Sequence, residues 1–177
     1  MLRNNKDKYG LIAVLFHWSM FLIFVCAFAL SKMMENMEVS PDLYKTIGQH
    51  KSFGVVFLTL LIGRFAWRIF DSKPESFHED EDKALALNAS VYAMYVLMLL
   101  VPLSGIIMSQ SEGLQVSAFG YFEVPKFVSE NDSIAELATQ VHTMSANILF
   151  ALVLMHVAGS IYHQVIEKKK IMKRIFP

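Results

Sequence analysis

Four long apolar runs, separated by three polar connections, organise this sequence. They extend roughly from Gly10 to Ser31, Thr46 to Phe70, Ala84 to Ser109 and Ile134 to Val165. An α-helix rises 1.5 Å per residue, so about 20 apolar residues cross a hydrocarbon layer about 30 Å thick. Each run meets that length. The first is apolar on all sides, as lipid exposure demands. The pattern predicts an all-α membrane protein, a four-transmembrane-helix bundle forming one domain over residues 1–177.

The connections differ in character. Lys32 to Tyr44 is polar, with Pro41-Asp42 as a turn signal. Asp71 to Lys83 is strongly charged and reads as a solvated loop, with His78 among acids and outside any span. Gln110 to Ser133 is longest and carries Phe119, Tyr121, Phe122 and Phe127. It is too aromatic for a disordered linker and is expected to fold back over the bundle mouth as a cap or a site-forming loop. Pro102 and Gly105 lie inside the third run, where neighbouring helices can re-satisfy the backbone of a kink. Tyr92 and Tyr95, three residues apart, read as packing or interface anchors.

Charge sets the expected topology. Arg3, Lys6 and Lys8 precede the first run; Arg64, Arg68, Lys73 and Lys83 surround the middle connection; Lys168, Lys169, Lys170, Lys173 and Arg174 follow the last. The other two connections, with their flanks, hold only Lys32, Lys45, Lys51 and Lys126. By the positive-inside rule both termini are cytoplasmic, which an even number of spans permits. No small-residue cleavage site follows the first run, so it reads as a retained span rather than a signal peptide.

Composition removes other classes. Hydrophobic residues make up 54% of the chain and net charge is zero, so no basic surface argues for nucleic acid. A single cysteine, Cys26, excludes an internal disulfide, a cysteine metal cluster and the CxxCH attachment of a c-type haem.

Histidine is what the apolar runs should not contain. His142 and His156 are fourteen residues apart and His163 follows by seven, steps that return to nearly one helix face. His142 and His156 therefore lie about 21 Å apart along the axis. His17 falls in the cytoplasmic half of the first span and His50 near the outer end of the second. Depth pairs His50 with His142 outside and His17 with His156 inside. Ionisable residues within spans are costly and usually face a bundle interior or a cofactor. Zinc needs three or four ligands at one point, which two separated pairs do not supply. A haem takes one imidazole on each face, so two pairs suit two b haems in a four-helix bundle. With both axial positions filled, the expected chemistry is electron transfer across the membrane. Arg64 and Arg68 share a face and admit two readings: snorkelling to lipid headgroups, or pairing with an anionic cofactor group. Arg64, Arg68 and Lys51 are the candidates for neutralising haem propionates.

These residues resemble the prokaryotic cytochrome b561 family of small di-haem membrane proteins, related to the cytochrome b subunits of nickel–iron hydrogenases. The resemblance rests on Phe16-His17-Trp18, on GQHKSFG followed by GRFAWR, on PLSGIIMSQSEGLQVSAFGYFEVP, and on His142 with His156 and His163. It implies that His17, His50, His142 and His156 are the axial ligands of two b haems. It also implies a multi-pass location in the bacterial inner membrane and quinone, ubiquinone by the family habit, as co-substrate. Some members oxidise superoxide and reduce ubiquinone; Lys51 and Lys126 are candidates for attracting that anion, or are ordinary interface charges. The chain departs from the family at Leu87 to Val91, where many members carry histidine, and at Gln164, where many have a second histidine after the position of His163. His163 reads either as a quinone contact or as a boundary histidine.

Two functions follow as expectations. One is a stand-alone oxidoreductase passing electrons from a small periplasmic donor such as superoxide to quinone. The other is a haem-bearing membrane anchor for a partner dehydrogenase or iron–sulfur protein. Expected partners are membrane lipid and quinone, with a homodimer or a dehydrogenase subunit as further possibilities.

Overall fold

The computed structural model describes residues 1–72, 74–75 and 81–175. Its helices are α1 (Leu11–Met34), α2 (Pro41–Phe70), α3 (Glu81–Ser111) and α4 (Asp132–Val165), with a short 3-10 turn at Met172–Arg174. All four helices are long and apolar enough to cross a membrane. Within their most apolar stretches only 11–17% of residues are buried by the protein itself, which leaves apolar side chains available to lipid.

The helix starts are written in the sequence. Ser40 accepts a hydrogen bond from Leu43 N, and Pro41 occupies the first helical position, where its missing N–H costs nothing. Pro41-Asp42 therefore opens α2 rather than making a free turn, and the helix begins before the expected Thr46. Asn131 caps α4 through Ile134 N in the same way. The α3 helix begins at Glu81, inside the charged segment expected as loop. His78 lies outside the described residues.

Two antiparallel helix pairs build the bundle. The α1 helix packs along α2, α3 packs along α4, and a lesser contact joins α2 to α3. One core cluster gathers Met20, Phe57 and Leu61, with Phe24, Tyr95 and Met98 against it. The other gathers Val55, Ile106 and Val116. Between the pairs, Phe28 of α1 stacks on Phe150 of α4.

The α3–α4 connection is a cap, as expected, but it also contains a small sheet. Strands β1 (Ser117–Ala118) and β2 (Phe122–Glu123) pair antiparallel around Gly120, whose φ of 78° suits glycine. Ser52 of α2 anchors this hairpin: its Oγ accepts from Phe119 N at 2.9 Å and lies 3.2 Å from Ser117 O. Gln110, 2% exposed, holds the segment after β2 by accepting from Phe127 N and Val128 N and donating to Pro125 O.

At the opposite end, the chain termini meet the α2–α3 connection. Arg174 donates to the carbonyls of Asp7 at 2.8 Å and Glu75 at 2.7 Å, while Tyr9 N donates to Arg174 O. Asn4 N donates to Asp71 Oδ2 at 3.0 Å. Both termini and the middle connection thus share one end of the bundle.

Candidate functional site

The four intramembrane histidines meet across the gap between the helix pairs. His17 of α1 faces His156 of α4 with ring centres 6.4 Å apart and planes at 58°. His50 of α2 faces His142 of α4 at 6.1 Å and 86°. These are the two combinations that depth along the spans predicts. Each pair takes one imidazole from each half of the chain.

Two backbone carbonyls orient the second pair. His50 Nδ1 lies 2.9 Å from Ala27 O, and His142 Nδ1 lies 2.8 Å from Val101 O. A carbonyl only accepts, so both Nδ1 atoms carry the proton. That fixes the tautomer and leaves each Nε2 with a bare lone pair, the usual arrangement of a metal-binding imidazole. Gly105 makes room for this: a Cβ there would lie 3.0 Å from His142 Cε1. The glycine is one helical turn beyond Val101, so the ring lies close against the α3 backbone.

The spacing fits a haem. Two imidazoles on opposite sides of one metal, each nitrogen about 2 Å from it and each ring centre about 1 Å further, have centres about 6 Å apart. Both pairs match. Among the described residues no three of His, Cys, Asp or Glu converge to hold a metal ion, which leaves two-ligand sites as the arrangement on offer.

Beside His17 and His156 lies a cavity of about 720 Å³. Arg64, Arg68, Trp67, Tyr95 and His163 line it, along with Leu87, Asn88, Ser90 and Val91. Arg64 Nε donates to Tyr95 Oη at 3.1 Å and Arg68 Nη1 to the same oxygen at 3.3 Å. Both guanidinium groups also lie over the Tyr95 ring, at 5.6 and 5.1 Å. Arg64 acts electrostatically on His17 and His156. The two arginines are thus directed at the cavity and at Tyr95. Tyr95 does pack in the core, as expected of an anchor, but its hydroxyl also gathers the two cations.

His163 sits at the edge of the cavity with Nδ1 2.9 Å from Glu167 Oε2. Lys169 Nζ lies 2.7 Å from the same oxygen. Hydrogen bonds from Lys169 and then His163 hold the Glu167 carboxyl down at about 2. Glu167 escaped the sequence reading because it looks like one charge in a basic tail; its spacing of four from His163 was the available signal. Lys51 lies beside His50 at the far end, half-buried, with Glu112 as its charged neighbour. Lys126 pairs with Glu130 at 2.9 Å.

Known proteins resemble this chain along nearly its whole length. The prokaryotic cytochrome b561 family profile matches residues 8–177. Cytochrome b561 homolog 2 of Escherichia coli (strain K12) is 29% identical over 174 residues, covering 97% of this chain and 93% of that protein. Cytochrome b561 homolog 1 of the same organism is 22% identical, covering 97% and 98%. A protein named probable superoxide oxidase CybB, from Yersinia pestis, is 21% identical, covering 96% of each. Four bilayer-length helices and a family match from end to end lead to one conclusion: this multi-pass membrane protein belongs to the prokaryotic cytochrome b561 family.

Proposed function

We propose that the protein transfers electrons across the membrane through two b haems, one held by His17 and His156 and the other by His50 and His142. The observation that carries this reading is the pair of imidazole separations, 6.4 and 6.1 Å, at two depths of one bundle. Held between two imidazoles, such a haem would supply one-electron transfer. The protein's own part is to fix the rings and the charge around them. The Ala27 and Val101 carbonyls hold the His50 and His142 tautomers, and Arg64 with Arg68 brings positive charge to the His17–His156 end. The excess of lysine and arginine at that end supports reading it, with both termini, as the cytoplasmic side.

The reaction we infer moves electrons from superoxide, or another small donor on the periplasmic side, to membrane quinone. The name of the Yersinia pestis relative supports this choice. Two superoxide anions each lose one electron and become dioxygen; one quinone takes up those two electrons and two protons and becomes quinol. Lys51 is the better placed cation for drawing superoxide toward the His50 end, because it adjoins His50 and has Glu112 only as a charged neighbour, whereas Lys126 is directly paired with Glu130 at 2.9 Å. The cavity at His163 is the candidate quinone approach.

The test is a reduced-minus-oxidised visible spectrum of purified protein with haem counted per chain. Two low-spin b haems, reduced on adding a superoxide source and reoxidised by a quinone analogue, are expected. Protein made with ample haem that binds none would overturn the reading.

A further inference from the structure

We propose that Trp67 supplies a third hydrogen-bond donor, beside Arg64 and Arg68, to a carboxylate of the group held at His17 and His156. This rests on the haem reading above, in which that carboxylate is a propionate. Three buried side-chain polar atoms of the described residues have no partner: Trp67 Nε1, Ser109 Oγ and Ser111 Oγ. Trp67 Nε1 is the only one of them on a residue lining the large cavity. An indole N–H donates and never accepts, so another donor cannot satisfy it. A buried donor left unpaired is costly, which argues that an acceptor oxygen belongs at that spot.

The surroundings say what kind of oxygen. Arg64, Trp67 and Arg68 stand at i, i+3 and i+4 on α2 and so share one face. Among the described residues neither guanidinium has a carboxylate partner. Arg64 reaches Tyr95 Oη and Met20 Sδ, and Arg68 reaches Tyr95 Oη. The carboxylates on the cavity wall are engaged elsewhere: Asp71 accepts from Asn4 N, and Glu75 faces Lys6 at 3.8 Å. Neither carboxylate contacts Arg64 or Arg68, so this face of α2 presents two cations and a neutral donor with no carboxylate bound to them. A quinone carbonyl would satisfy the indole but leave both charges uncompensated. A carboxylate can accept from all three donors and offsets one of the two charges, since guanidinium forks suit its paired oxygens.

Trp67→Phe keeps the ring and deletes the N–H. In the haem-loaded protein the variant is expected to retain two haems per chain. The propionate bending band of one haem should shift in its resonance Raman spectrum. The oxidised-to-reduced ratio of that haem at fixed potential should rise severalfold toward tenfold, about 59 mV for one electron, because a less compensated carboxylate favours ferric iron. Two haems with both band and potential unmoved would overturn the proposal, and a raised quinone KM in that variant would assign the N–H to a quinone carbonyl instead. If Trp67→Phe fails to load, Trp18→Phe provides a second route, because the chain has two tryptophans and this variant leaves only Trp67. Its indole N–H hydrogen-bond band in ultraviolet resonance Raman must change between haem-free and haem-loaded protein; an unchanged band refutes the assignment. Absence of haem from the wild-type protein would instead refute the functional reading itself, so the two failures are distinct.

Discussion

Phe28 and Phe150 lie face to face, with ring centres 4.1 Å apart and planes within 1° of parallel. Phe150 falls between His142 and His156 on α4, so the stack bridges α1 and α4 between the two histidine pairs. Because α4 otherwise packs chiefly on α3, this contact should contribute strongly to the spacing of the halves. Phe150→Ala is expected to lower stability by about 2 kcal/mol, below the usual cost of a fully buried phenylalanine because the ring is half-buried. Phe150→Leu should cost less. Thermal denaturation in detergent checks both, and equal Tm values for all three proteins would contradict the role given to the stack.

Gly105→Ala tests how closely His142 is held. The new methyl would lie 3.0 Å from Cε1 and 3.1 Å from Nδ1 of the ring, so the imidazole must move by a few tenths of an ångström. The bond to Val101 O should lengthen, and the low-spin EPR signal of one haem should shift while the other stays fixed. Unchanged signals from both haems would show that the ring yields without consequence.

His156→Ala should remove the haem at the cytoplasmic end and stop quinone reduction. The haem at His50 and His142 should remain and stay reducible from outside. A variant retaining two haems per chain would break the proposed pairing.

Glu167 gives a pH prediction. Its folded pKa, about 2, lies below the ordinary glutamate value of about 4.3. The contact with Lys169 and His163 therefore contributes fully above about pH 4.3 and is lost as pH falls through about 2. Carboxyl ¹³C shifts of labelled glutamate, assigned by Glu167→Gln, should show one group titrating near 2. A midpoint in the ordinary glutamate range would mean that the three side chains do not associate in solution.

The spans and the histidine depths were legible because each depends on one dimension, distance along a helix. His142 and His156 can be placed at opposite membrane faces by counting residues. What holds their rings cannot be counted. The partners of His50 and His142 are the backbone carbonyls of Ala27 and Val101, which every residue carries and only the packing of helices selects. Trp67 was silent for a similar reason: an indole near a membrane surface usually anchors at the interface, and only the cavity beside it gives its N–H a purpose. The aromatic connection between α3 and α4 suggests a cap or a site-forming loop but no sheet, since two-residue strands are too short to show a period. Pro41-Asp42 alone signals a turn; with Ser40 before it, Pro41 starts a helix.

Each histidine pair draws one ring from the first two helices and one from the last. Neither half of the chain can complete a site alone. The helix pairs rest on contacts between chain neighbours, the kind that form early, whereas the pairs of rings join residues more than ninety positions apart. A ligand gripped by such a pair would act as a rivet between two prefabricated panels. Filling the sites and fastening the bundle then become one equilibrium, and the resistance of this protein to unfolding should track how much ligand it carries.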